Sequence, residues 1–328
     1  MTPGHTGLDG EAFLARAVGD PWSATLPRRL VHRRSVAEVL LTAVVPVGDT
    51  RAVVAAQWAR SQSFYAPSDG CHDTALLFET LRQAGLALCH QQLDVALDRQ
   101  FLLHDLEVRL VDAGRLRVGR EPARLVACCD LVDLKRRGSG LRAGRLVASV
   151  RRDGAVLAEG SSRFTCVDPT AYGRLRTATA PPPGVHRTAC TPATCPGQVG
   201  RLRDEDVLVC GCGGRGPATW GLRVGPAHPF LFDHPNDHVP GMAVLEACRQ
   251  AALLANRATM PDWQAGDGVI RFAGLVPLDG LAILEAVRGA GEETVVEVRR
   301  GHDVLARAAF HPLQPSARRV GALAASGS

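Results

Sequence analysis

The feature that most restricts what this chain can become is an internal repeat. The segment Val31-His-Arg-Arg-Ser-Val-Ala-Glu-Val-Leu40 recurs as Val199-Gly-Arg-Leu-Arg-Asp-Glu-Asp-Val-Leu208. Ser63-Phe64 recurs as Pro229-Phe230, and Glu79-Thr-Leu-Arg-Gln-Ala84 as Glu246-Ala-Cys-Arg-Gln-Ala251. The matches keep their order and almost constant spacing, so one unit has been duplicated. Each copy is too long and too mixed in its elements to be a solenoid turn and has the size of a whole domain. The 328 residues of the chain agree with two domains of about 150 residues each.

Both copies carry the same succession of patterns. In the first, residues 52–58 read as a strand and 73–91 as a long helix of good helix formers. Strands are predicted at 101–111, 123–132, 145–152 and 155–167, the last two joined by Asp153-Gly154, a two-residue hairpin signal. The second copy repeats this with a strand at 219–224, a helix at 242–257 and strands at 269–272, 281–288, 294–299 and 304–311. Both helices are apolar on almost every face, with Leu76, Leu77, Phe78 and Leu81 in one and Met242, Val244, Leu245 and Leu253 in the other. Such helices must be buried all round. A long helix wrapped by one strongly curved antiparallel sheet is the hot-dog arrangement. The expected fold is therefore α+β, a tandem double hot-dog with the two sheets joined side by side. Its expected parts are an N-terminal tail (1–27), repeat 1 (28–171), a Pro-rich linker (172–197) containing Pro181-Pro-Pro-Gly184, repeat 2 (198–313) and a flexible C-terminal tail (314–328).

Composition narrows the function classes. With 46% hydrophobic and 22% charged residues the chain is ordinarily globular. Its 38 basic residues exceed the 33 acidic ones too slightly to indicate a nucleic-acid partner. Lys135 is the sole lysine, so the arginine count reflects a compositional bias more than a binding surface. No run approaches the roughly 18 apolar residues that span a bilayer, and residues 1–19 lack a basic leader before an apolar core. The expectation is a cytoplasmic protein with no membrane partner. Ten cysteines in a reducing compartment should be free thiols, with Cys89, Cys128, Cys166 and Cys248 acting as small buried apolar groups. The group His186, Cys190, Cys195, Cys210 and Cys212 lacks paired Cys-x2-Cys knuckles, so no metal is expected. The Gly-rich run 210–216 lacks the Gly-Lys-Ser/Thr ending of a phosphate loop and reads as a turn. Lys135-Arg136-Arg137 with Arg142 and Arg145 reads as a solvated strand connection whose charge also suits an acidic carrier protein.

Each apolar helix nevertheless carries a polar set on one face: Glu79, Arg82 and Gln83 in the first, Glu246, Arg249 and Gln250 in the second. Buried charge is costly unless paired. Two readings stay open: each Glu holds its own Arg to fix register, or the sets line an acyl-thioester pocket between the repeats. Ahead of the second helix stands Asp233-His-Pro-Asn-Asp-His-Val-Pro-Gly-Met242, leading into Glu246. This resembles the active-site segment of β-hydroxyacyl-thioester dehydratases, hot-dog enzymes that use a His and a carboxylate. Here the spacing from His234 to Pro240 is shorter, and Arg249 stands where those enzymes have an uncharged residue. The first copy offers only His72. Two symmetric dehydratase sites are not expected, and a hot-dog dehydratase or thioesterase remains an alternative reading.

A closer resemblance covers roughly residues 29–313. Val31-His-Arg, Ser63-Phe-Tyr65, His72-Asp73, Glu79-x-x-Arg-Gln-Ala-Gly85, His228-Pro-Phe-Leu-Phe-Asp-His-Pro235 and Asp237-His-Val-Pro-Gly-Met242 are similar to segments of the A-factor biosynthesis (AfsA-type) hot-dog family. The resemblance implies an acyltransferase for γ-butyrolactone signal precursors. Such an enzyme moves a β-ketoacyl group from acyl carrier protein (or acyl-CoA) onto dihydroxyacetone phosphate, without cofactor or metal. Other members act in regulation, so a non-catalytic acyl-binding protein is a second alternative. On this reading Glu79, and next Glu246, would be the proton acceptor, with a pKa raised by apolar burial. Backbone N–H groups at the helix starts, near Asp73 or Gly241, would stabilise the thioester oxyanion. Arg249 and Arg82 would take the phosphate, His234 and His238 would orient the acceptor, and Gln83, Gln250 and His72 would complete the binding set. Glu79 and Arg249 are expected to act from opposite repeats on one shared site.

Overall fold

The computed structural model describes residues 9–138, 140–179, 191–212, 216, 218–234, 236–289 and 292–314. The outer parts of both expected tails, the Pro181-Pro-Pro-Gly184 stretch, His186, Cys190 and residues 213–215 of the Gly-rich run lie outside the described residues. A short helix α1 (Gly10–Val18) precedes β1 (Leu41–Pro46), β2 (Arg51–Trp58), the long helix α2 (Ala75–Gln92) and β3 (Gln100–Leu110). Then come β4 (Ala123–Arg137), β5 (Gly140–Arg152), β6 (Ala155–Val167) and helix α3 (Pro169–Thr179). The second half contains β7 (Val209–Cys210), β8 (Thr219–Leu222), helix α4 (Gly241–Asn256), β9 (Ala265–Phe272), β10 (Ile283–Arg288), β11 (Thr294–Arg300) and β12 (Asp303–Pro312).

The described strands form a 12-stranded sheet in the order β1-β2-β4-β5-β6-β3-β9-β12-β11-β10-β8-β7. Read outward from the centre, the second six repeat the first six, so the sheet carries a pseudo-twofold axis between β3 and β9. There Leu106 lies opposite Ile270 and Val108 opposite Gly268. Helix α2 packs against β1, β2, β3, β4 and β6, and α4 against all six strands of its own half. This is the tandem double hot-dog, and its cause is the one read from the sequence: helices apolar on almost every face are stable only when a sheet closes around them. The Asp153-Gly154 turn also forms, with φ of 50° and 74° at the two residues, the left-handed pair a two-residue hairpin requires.

Four features depart from expectation. The edge strands β1 and β7 lie outside the expected strands, because 39–47 is mostly apolar without period-2 alternation and β7 has only two residues. Strands β4 and β5 run on to Arg137 and from Gly140, so Lys135, Arg136 and Arg137 belong to a hairpin arm. Residues 10–26 are not a loose tail: Leu14 of α1 is fully buried against Ala43, Val53, Ala55 and Val126 on the outer sheet face, and Trp22 packs beside it. Helix α3 occupies the start of the expected linker and holds Tyr172 half-buried. Cys71, Cys89, Cys128, Cys129, Cys166, Cys195, Cys212 and Cys248 are free thiols, Cys128 being only half-buried. Among the described residues no helix is long and apolar enough to cross a membrane.

Close helix-to-sheet contact makes one glycine indispensable. A Cβ on Gly160 in β6 would lie 2.2 Å from Leu81 Cδ1 and 2.7 Å from the Glu107 carbonyl oxygen. Gly160→Ala is therefore expected to destabilise the protein by about 1–3 kcal/mol through overpacking, read as a lowered Tm. An unchanged melting curve would contradict this packing.

Candidate functional site

Two pseudo-equivalent clusters sit where each long helix faces the other half. In the first, Glu79 is 1% exposed and its two oxygens accept bonds from Arg33, Arg82 and Gln83 at 2.7 to 3.2 Å. In the second, Glu246 accepts from Arg201, Arg249 and Gln250 at 2.6 to 3.0 Å. Arg33 and Arg201 are the same arginine of the first repeated segment. Each guanidinium also covers an aromatic ring of the repeat-related phenylalanine pair: Arg33 lies 4.8 Å from the Phe230 centroid and Arg201 4.6 Å from that of Phe64. Phe64 and Phe230 stack on one another at 4.6 Å, placing the pseudo-axis between them.

The clusters differ in how fully their charge is met. Arg201 also reaches Asp73 at 2.7 Å, and Arg249 lies 3.9 Å from the same carboxylate. Two arginines there meet two carboxylates. Arg33 and Arg82 share Glu79 alone. The helix starts differ in the same sense. Asp73 accepts from the Ala75 N–H at 2.9 Å and so closes the start of α2. No side chain caps α4, which Pro240 leads in, and Gly241 and Met242 at its start border a cavity.

That cavity, about 190 Å³, is bordered by His32, Arg33 and Arg82 from the first half and by Asp233, His234, Asn236, His238 and Gly241 from the second. The lead-in is tied down because Asp233 accepts from the Arg34 and Ser35 N–H groups at 2.5 and 3.0 Å. His238 Nδ1 lies 2.7 Å from Asp237, whose carboxylate also accepts the Tyr172 hydroxyl at 2.7 Å. Through Phe101, Leu103, His238 and Gly241 the cavity adjoins an apolar chamber of about 330 Å³ lined further by Val244, Phe272 and Val276. Arg249, His72 and Asp73 line a different cavity of about 600 Å³.

Several expectations are corrected here. Burial alone would raise the Glu79 carboxyl, but Arg33, Arg82 and Gln83 outweigh it and bring the pKa down to about 2; a raised-pKa proton acceptor is not present at this position. Asp73 is likewise lowered to about 2, burial being outweighed by Arg249, Arg201 and the Ala75 N–H. Glu79 and Arg249 do not share a site, since Arg249 stands in the other cluster and Arg82 is the arginine beside the lead-in. Gln83 and Gln250 are fully buried and spend their amides on Leu40, Glu38 and Glu79, and on Leu208, Asp206 and Glu246. They brace the repeated segment against its helix and border neither cavity. His72 is buried beside Trp58, and burial with Arg152 nearby lowers its pKa to about 4. The structure does bring Arg82, His234, His238 and Gly241 together from opposite halves. Sequence reasoning overlooked Arg33, Arg201, His32, His90 and Tyr172. Arg33 and Arg201 carried a signal, being the identical arginine in the first repeat match.

Fold and paired clusters define a tandem hot-dog protein with the lead-in beside one cluster and a separate cavity beside the other. The sequence pattern of the A-factor biosynthesis hotdog domain matches residues 15–168 and 185–270. A 2-oxo-3-(phosphooxy)propyl 3-oxoalkanoate synthase of Streptomyces virginiae is 41% identical over 232 residues, 70% of this chain and 76% of that one. A synthase of the same name from Streptomyces coelicolor is 39% identical over 236 residues, covering 70% and 72%. An acyl-ACP thioesterase from Bacteroides thetaiotaomicron shares the fold, with 12% identity and a TM-score of 0.51 over 79% of this chain and 97% of that one. The chain belongs to the A-factor biosynthesis hotdog family, and it is an enzyme of the acyltransferase type.

Proposed function

We propose that this protein transfers a 3-oxoacyl (β-ketoacyl) group from a thioester, carried by acyl carrier protein or by coenzyme A, to a hydroxyl of dihydroxyacetone phosphate. The observation that carries the reading is the excess positive charge at the cavity: Arg33 and Arg82 share the one carboxylate of Glu79 there, whereas Arg201 and Arg249 have Asp73 as well as Glu246. A phosphate dianion is the ligand such a site favours. The uncapped N–H groups of Gly241 and Met242 are placed to take the thioester oxyanion, and the apolar chamber behind them suits the acyl chain. Asp237 and Tyr172 hold the His238 ring at the junction of polar mouth and apolar chamber, where the thioester would lie. Glu79 acts by holding Arg82 and Arg33 in place, and His234 borders the acceptor end. No step calls for a cofactor.

Incubation of the protein with a 3-oxoacyl thioester, with and without dihydroxyacetone phosphate, tests this by product mass. The expected result is a phosphorylated ester formed only with the acceptor. Acceptor-independent hydrolysis or dehydration would favour the thioesterase or dehydratase alternative. Binding of the thioester without turnover would favour a regulatory acyl-binding protein.

A further inference from the structure

His32 stands in the first repeated segment, borders the polar cavity and has no role in the reading above. Its ring is held by a second histidine: His32 Nε2 lies 2.9 Å from His90 Nε2, while His90 Nδ1 lies 2.6 Å from the Val95 carbonyl oxygen. A carbonyl oxygen only accepts, so His90 Nδ1 carries the hydrogen. Neutral His90 then presents a lone pair at Nε2, and His32 Nε2–H must be the donor to it. The consequence is a fixed tautomer in which His32 Nδ1 keeps its lone pair, and among the described residues no group occupies it. Phe101 packs edge-on against both rings and holds them in register.

The arrangement is maintained against local preference. His32 closes a short 3-10 turn in the left-handed region, φ 52° and ψ 49°, which is unfavourable for a residue with a Cβ. At the corresponding position the second half has Gly200, φ 68° and ψ 34°, the residue that adopts this conformation freely. The partner of His90 in that half is Arg257. The histidine pair thus exists only in the half whose cavity receives the lead-in.

We propose that His32, oriented by His90, is the general base for the acceptor hydroxyl. This rests on Arg82 as the phosphate site: His32 adjoins Arg33 in sequence and borders the same cavity wall as Arg82, whereas His238 lies toward the acyl chamber. In the step, the acceptor oxygen bonds to the thioester carbonyl carbon as its proton passes to His32 Nδ1. The C–S bond then breaks, and that proton is returned to the departing thiolate. Burial, then His90, Arg82 and His234, lower the His32 pKa to about 3, which leaves the ring neutral but a weak base until substrate charge raises it. The incoming phosphate supplies negative charge that favours the imidazolium formed in the step. His90 is a positioning residue.

His32→Gly places in the first half the residue the second half already uses, so it is expected to fold. Its kcat for ester formation should fall by about a hundredfold or more, with the acceptor KM within about threefold of wild type, and added imidazole should restore part of the rate. His90→Leu should lower kcat in the same direction, and His90→Gln, which can donate to Val95 and accept from His32, should recover most of it. Full-rate transfer by folded His32→Gly, or a raised KM with kcat intact, would overturn the proposal alone. A wild-type protein that makes no phosphorylated ester would overturn the reaction reading and this inference with it.

Discussion

Replacing Glu79 by glutamine is expected to destabilise the protein by about 3–5 kcal/mol, because it leaves the buried Arg33 guanidinium and the partly buried Arg82 one without their shared carboxylate. Arg33 and Arg82 are 7% and 20% exposed at the side chain, and Glu79 is the carboxylate that meets both. Glu246→Gln should cost less, since Arg201 retains Asp73 at 2.7 Å. The sign with pH follows from the lowered carboxyl. Glu79 contributes its stability in full above its unfolded value of 4.5 and loses it as pH falls toward about 2. Glu79→Gln should therefore flatten the acid limb of the stability curve as well as lower its plateau. Denaturant titrations of the three proteins between pH 3 and 7 measure both effects. Equal losses from the two substitutions would show that the carboxylate count does not distinguish the clusters.

Arg82→Met is expected to raise the KM for dihydroxyacetone phosphate by roughly 10- to 100-fold, the loss of one charge-assisted contact to a phosphate. Arg249→Met should leave that KM within about twofold, although the two residues occupy equivalent positions on equivalent helices. Unphosphorylated dihydroxyacetone gives the internal control, because its already poor use should be insensitive to Arg82. If Arg249→Met raised the acceptor KM and Arg82→Met did not, the acceptor would belong in the 600 Å³ cavity bordered by His72 and Asp73.

What the sequence disclosed and what it concealed divide along one physical line. The repeat and the all-round apolarity of residues 75–92 and 241–256 follow from composition at fixed spacing, and the fold follows from them. The turn at Asp153-Gly154 was legible because it depends on two residues alone. Helix α1 was not, since its short apolar stripe around Leu14 gains meaning only from the outer sheet face it covers. At the site, the motif pointed to a lead-in that borders a cavity, but partner identity is a property of three dimensions. Nothing in the spacing of Glu79 reveals that Arg33 arrives beside it from another segment, and that arrival turns an expected high-pKa acid into a fixed carboxylate. The same holds for His32 and His90, adjacent only once α2 has docked.

The central junction of the sheet has a consequence for how the chain matures during synthesis. Strand β3 pairs on one side with β6 and on the other with β9, so the first six strands reach their final order while one long edge, including Leu106 and Val108, still awaits residues 265–272. On the ribosome that edge is an open template, and its natural complement is a strand of its own kind, because β3 and β9 are counterparts about the pseudo-axis. Nascent chains on one message would therefore be exposed to pairing with each other before each closes on itself. Slow translation across the segment between β6 and β9 would lengthen that exposure, and a chain stopped short of β9 would carry it permanently as a self-associating fragment.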